Sequence, residues 1–160
     1  MFLTVHVTVG GVIGNTIASP WLALPLGMAS HFALDRIPHW DPPISEYELH
    51  KKVSLASPII RRFAAIAILD LMGAGLVGGI PLALGYFPHA EASLAGMVGA
   101  ALPDILFGLF CLTGNRWLGK FDAFHQWLHF DPKKIPVTIV NGLATQVATF
   151  ALFLGLIIKG

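Results

Sequence analysis

Apolar residues run along this chain in long blocks separated by short polar breaks, with no alternation of the kind that marks strands. The first block covers residues 2–18 and has no basic residue ahead of it, so it reads as a retained helix rather than a secretory leader. A second, residues 21–37, follows after only Ser19 and Pro20, which predicts a tight helical hairpin. Residues 38–57 form the long polar loop, with His39, Asp41, Pro42, Pro43, Glu46, Glu48, His50, Lys51 and Lys52. Apolar runs resume over residues 58–84, which carry Arg61 and Arg62 near their start, and over residues 92–112. Between residues 117 and 129 the pattern becomes an aromatic amphipathic helix, with Trp117, Phe121, Phe124 and Leu128 three or four apart. A last run, residues 135–158, closes the chain. A spanning helix needs about 20 apolar residues. The expected fold is therefore an all-α polytopic integral membrane helix bundle: about five transmembrane helices plus one interfacial or re-entrant amphipathic helix, in one transmembrane domain over residues 1–160.

Composition agrees with that reading and excludes others. Of the 160 residues 55% are hydrophobic and 12% charged, about half the charged share of a soluble domain, and mean hydropathy is +0.71. A disordered chain, a coiled coil and an ordinary water-soluble enzyme are ruled out. The net charge of +1 offers no basic surface for nucleic acid. Cys111, the single cysteine, lies in an apolar run and reads as a small buried hydrophobe. The ten basic residues are unevenly placed: Arg36, Lys51, Lys52, Arg61 and Arg62 flank one connection, and Arg116, Lys120, Lys133 and Lys134 flank another on the same face. Only Lys159 falls opposite. By the positive-inside rule this places the N-terminus inside and the C-terminus outside.

With that orientation, ionisable residues far apart in sequence converge near one membrane face. His6 lies just inside the first run, His31 and Asp35 end the second, Asp104 lies two turns from the end of the fourth, and His125 and His129 follow on the aromatic helix. His31 with Asp35, and His125 with His129, are i, i+4 pairs, each projecting from one helical stripe and able to close on one ion. An ionisable group in hydrocarbon costs at least about 2.5 kcal/mol. Six such groups call for a shared compensating charge, and a divalent cation supplies it. Mixed imidazole and carboxylate donors suit zinc first, with manganese or iron as alternatives.

Around this cluster, Pro103 removes the donor that would serve the Gly99 carbonyl, beside Asp104. The prolines of the segment 38–43 restrict the backbone so that His39 and Asp41 can stand over the mouth of the cluster as proton-transfer groups, while Trp40 serves equally well as an interfacial anchor. Arg36 reads as a positive-inside residue, and His50 and His89 as solvated loop histidines. Asp70, about 13 Å into the third span by the helical rise, is left out of the ligand set and expected to bond Asn15, Thr16 or another polar group of a neighbouring span. Gly27-Met28 and Gly96-Met97 precede Asp35 and Asp104 at the same spacing, a short internal echo. No phosphate-binding glycine loop, cysteine metal motif or Gly-x-Ser-x-Gly element is present.

The run from Ser30 to Asp35 followed by Pro38, the Leu102-Pro103-Asp104 triplet, the His125 and His129 pair, and His6 four residues before Gly10 together resemble the prokaryotic membrane-bound metal-dependent hydrolases, the YdjM-like inner-membrane proteins. This chain has Ile105 and Leu106 where that family often carries a further Asp and His. The resemblance implies a multi-pass protein of the cytoplasmic (inner) membrane with a metal-centred hydrolytic site. On that reading His6, His31, Asp35, Asp104, His125 and His129 bind the metal, and His39 or Asp41 moves protons. A site at head-group level suits a lipid-like phosphoester or ester drawn from the membrane. The same ligands would equally serve a divalent-cation transport or binding protein, and a bound ion acting as a structural staple is the third reading.

Overall fold

The computed structural model describes residues 1–42, 58–131 and 133–159. Among them every regular element is an α-helix: α1 (Leu3–Ile17), α2 (Pro20–Leu34), α3 (Pro58–Ala83), α4 (Ala90–Thr113), α5 (Arg116–Leu128) and α6 (Ile139–Lys159). The loop residues Glu46, Glu48, His50, Lys51 and Lys52 lie outside the described residues.

Local signals set the breaks. Ala18 adopts a left-handed φ of 58° after α1, and Pro20, whose ring suits a first helical turn, opens α2. Gly114, at φ 64°, closes α4. The next residue, Asn115, caps α5 by accepting from the backbone N–H groups of Trp117 and Leu118.

By length and composition, α4, α6 and the Arg61–Ala83 part of α3 can cross a membrane. Helices α1 and α2 have 15 residues each, about 22 Å by the helical rise, short of a hydrocarbon core of about 30 Å. The expected five full spans are thus three. The first two apolar runs lose residues to the turn at Ala18 and Ser19 and to the polar segment after Leu34. Exposed Ile68, Leu69, Leu71 and Met72 on α3, and Val147 and Leu152 on α6, present the apolar surface that lipid covers. This is the build of a membrane protein.

Helices α1, α2 and α4 pack at backbone distance. A Cβ on Gly96 would collide with the Gly10 carbonyl, and one on Gly27 would collide with the Gly96 carbonyl. The Gly-Met echo therefore has a packing meaning. Its two glycines face each other where α2 meets α4, and one helical stretch further on Asp35 and Asp104 reach the same cluster.

Asp70 sets the height of α1. From α3 its carboxylate accepts from Leu3 N (2.6 Å), Thr4 N (3.0 Å) and Thr4 Oγ1 (2.6 Å). It caps the first turn of α1, rather than bonding Asn15 or Thr16, and the N-terminal end of α1 consequently lies about 18 Å from the start of α3 by the helical rise.

Candidate metal centre

The cluster is assembled by the ends of two short helices. The Phe130 N–H donates to the Asp35 carbonyl (2.9 Å) and ties the end of α5 to the end of α2. Phe121, Phe124 and His125 pack around Phe32. On α5 Trp117 is 73% exposed, and Asp122 and His125 are the buried positions.

Three histidines share one orientation. Nδ1 of His31 donates to the Ala100 carbonyl (2.8 Å), that of His39 to the Ile37 carbonyl (2.7 Å), and that of His129 to the Phe130 carbonyl (2.9 Å). A carbonyl only accepts, so each Nδ1 carries a proton and each Nε2 turns inward, where the neutral ring could offer it to a metal. This is how ligating histidines are oriented. Ala100 lies one turn before Pro103, where the helical hydrogen-bond ladder of α4 is interrupted.

Asp35 is the hub. Its Oδ2 lies 3.2 Å from both His31 Nε2 and His125 Nε2, which are 3.1 Å from each other. Three donors about 2.0–2.1 Å from a tetrahedral ion stand roughly 3.3 Å apart. The triangle formed by Asp35, His31 and His125 nearly has that size, so these three residues could hold such an ion. Asp35 Oδ1 faces the other way, 3.1 Å from His6 Nε2 and 3.8 Å from His39 Nε2. His6 stacks on His31 at 3.9 Å between ring centroids, fully buried, and neither of its nitrogens has a hydrogen-bond partner.

Bare nitrogens and carboxylate oxygens held this close repel one another unless protons or a cation lie between them. A cation is present. The Met1 ammonium donates to Asp35 Oδ1 (2.6 Å), contacts His39 Nε2 and lies 3.6 Å from Asp41 Oδ1. Asp41 Oδ2 is 2.9 Å from His39 Nε2 and 3.2 Å from His129 Nε2. Burial favours the neutral form of both Asp41 and His129, but their mutual bond outweighs it. With His39 also contributing, the Asp41 carboxyl is held well below the usual carboxylate range and His129 above the ordinary histidine value.

All eight residues singled out from the sequence are brought together. Three groups of donors can each hold a metal ion: His6, His31 and Asp104; His31, Asp35 and His125; Asp35, His39 and His129. Two expectations change. His125 and His129 do not close on one ion but fall in different groups, because α5 ends between them and its last turn straddles Asp35. His39 stands among the donors, whereas Asp41, 41% exposed, lies at the rim with Asp104, 32% exposed. The cluster is also deeper than a helix end: Asp104 lies about 13 Å before the end of α4 by the helical rise.

Gln146 on α6, buried in a long apolar helix, was not among the residues singled out. Its Oε1 accepts from Phe2 N (2.7 Å) and its Nε2 donates to the Trp40 carbonyl (2.7 Å), holding the two segments that carry the Met1 ammonium and His39. The Trp40 backbone fits against Gly142, where a Cβ would collide with it. The signal available was a lone Gln in the middle of an apolar run. Comparison with known proteins returns no match among family models, curated proteins or solved structures.

Proposed function

We propose that this protein is a membrane-embedded metal-dependent hydrolase that acts from the cytoplasmic side on a lipid-like phosphoester or ester. The observation that carries this reading is the set of three histidines whose Nδ1 protons are committed to backbone carbonyls while their Nε2 atoms converge on Asp35. The resemblance of the residue 30–35, 102–104 and 125–129 motifs to those of the YdjM-like inner-membrane proteins points to the same class. On this reading α1 and α2 enter the bundle as a short paired hairpin among the three spanning helices, with the N-terminus toward the cytoplasmic side, and α5 lies at the interface. Zinc is the expected metal.

The metal, when bound, supplies Lewis acidity and hydroxide at neutral pH. Asp35, His31 and His125 would hold it, with His6 and Asp104 beside them. His39 or Asp41, in contact at the rim, would move the released proton out to solvent. The buried face of α5 and Phe32 shield the inner donors from water, and Asp41 and Asp104 are the partly exposed members of the cluster. Arg36, which reaches the Leu128 carbonyl at 3.4 Å from the end of α2, stands on the same side to meet an anionic head group.

The test is elemental analysis of the detergent-purified protein beside the His31→Ala/Asp35→Ala double variant, followed by assay on phosphoester and acyl lipids. Stoichiometric metal and lipid turnover in the wild type, both lost in the variant, are expected. A fully active double variant overturns the reading. The depth of Asp104 in α4, beside Pro103, favours one rival, a divalent-cation transporter. Metal flux into proteoliposomes without lipid turnover would establish that rival.

A further inference from the structure

We infer that the cluster is a two-ion centre bridged by Asp35, an inference that rests on the metal-binding reading above. The donors number eight side chains: His6, His31, His39, His125 and His129 with Asp35, Asp41 and Asp104. One tetrahedral ion takes four donors, which would leave the rest, buried histidines among them, outside its coordination. The two oxygens of Asp35 divide them. Oδ2 closes the tight inner triangle with His31 and His125. Oδ1 faces the outer group, where His39 and His129 turn their Nε2 atoms inward and Asp41 stands within 3.2 Å of both.

Two observations independent of the donor count mark both halves. The outer half already attracts a cation, the Met1 ammonium, seated on Asp35 Oδ1 and His39 Nε2. The fully buried His6, stacked on His31 of the inner triangle and 3.1 Å from Asp35 Oδ1, has two nitrogens without a hydrogen-bond partner. A carboxylate bridging through both oxygens suits ions about 3.5–4 Å apart, the separation of two-metal hydrolytic sites. Charge allows it: with the ammonium in place one divalent ion balances the three carboxylates, and once the ammonium is released two ions and one hydroxide do. The inner donors are already at tetrahedral separations and the outer ones must draw together and release the ammonium, so the inner ion binds more tightly.

The experiment is metal titration of the full chain, purified in detergent with a tag free of histidine. Zinc and, separately, manganese are used as probes. Bound ion is counted by elemental analysis, and the manganese form is examined by electron paramagnetic resonance. Two ions per chain, filling in two steps, and an exchange-coupled manganese pair are expected. His39→Ala/His129→Ala, and the milder His129→Asn, should halve the metal content and abolish the coupling while the first step remains. One ion per chain at saturation with an uncoupled manganese signal overturns the two-ion centre and leaves the hydrolase reading standing. No bound ion overturns both. The coupling measurement needs only the wild type, so a variant that fails to fold does not blunt the test.

Discussion

Asp70 and Thr4, on helices far apart in sequence, are joined by side chain to side chain, side chain to backbone N–H and hydroxyl to backbone carbonyl contacts. The α1 helix thus takes its N-terminal cap from another helix, and its height in the bundle, with that of His6, depends on one carboxylate. Asp70→Ala should lower stability in detergent by about 1–2 kcal/mol, the usual cost of a lost cap. Asp70→Asn, which keeps an acceptor, should lose less. Thermal unfolding of the two variants checks the order.

Glycine substitutions should separate packing from helix propensity. Gly96→Ala drives a methyl group into the Gly10 backbone, and with no flexible side chain to yield there it should cost about 1–3 kcal/mol. The same change at Gly75 or Gly79, where a Cβ meets nothing within 4 Å, should be neutral or stabilising by up to about 1 kcal/mol. Parallel melting curves read both signs.

Gln146→Leu keeps the bulk of the side chain but strands the Phe2 N–H and the Trp40 carbonyl. Each buried orphan costs about 1–3 kcal/mol. Because those two segments carry the Met1 ammonium and His39, the variant should also bind metal more weakly, with the loss confined to the outer donors. Metal titration beside unfolding measures both effects.

The bond between His129 and Asp41 gives the metal-free protein a pH dependence with a definite sign. The raised pKa of His129 means that its stabilisation is complete below the ordinary histidine value and disappears as pH rises through the raised one. The depressed pKa of Asp41 means the reverse: its stabilisation is present above the ordinary carboxylate value and is lost only as pH falls through the depressed one. With metal chelated, the melting temperature should therefore fall as pH rises through the raised histidine value, and His129→Gln should remove that fall. An unchanged fall in the variant would assign the dependence to another group.

The helices and the eight cluster residues were legible in the chain because both follow from local rules. Apolar run length identifies helices, Ser19-Pro20 and Gly114-Asn115 mark breaks, and i, i+4 spacing puts His31 with Asp35 on one stripe. Run length misjudged α1 and α2, since hydrophobicity does not say which residues a turn or a site will claim. The amphipathic pattern of α5 identified a helix and its histidines, but not that Asp122 would be buried beside His125. Which donors pair, that His125 and His129 part around Asp35, that Asp70 caps α1 and that Gln146 clamps Phe2 to Trp40 all depend on contacts between residues remote in sequence. Those contacts are decided by backbone approach at Gly10, Gly27 and Gly96, where three helices cross with no side chain between them, and no local pattern along the chain encodes where such crossings fall.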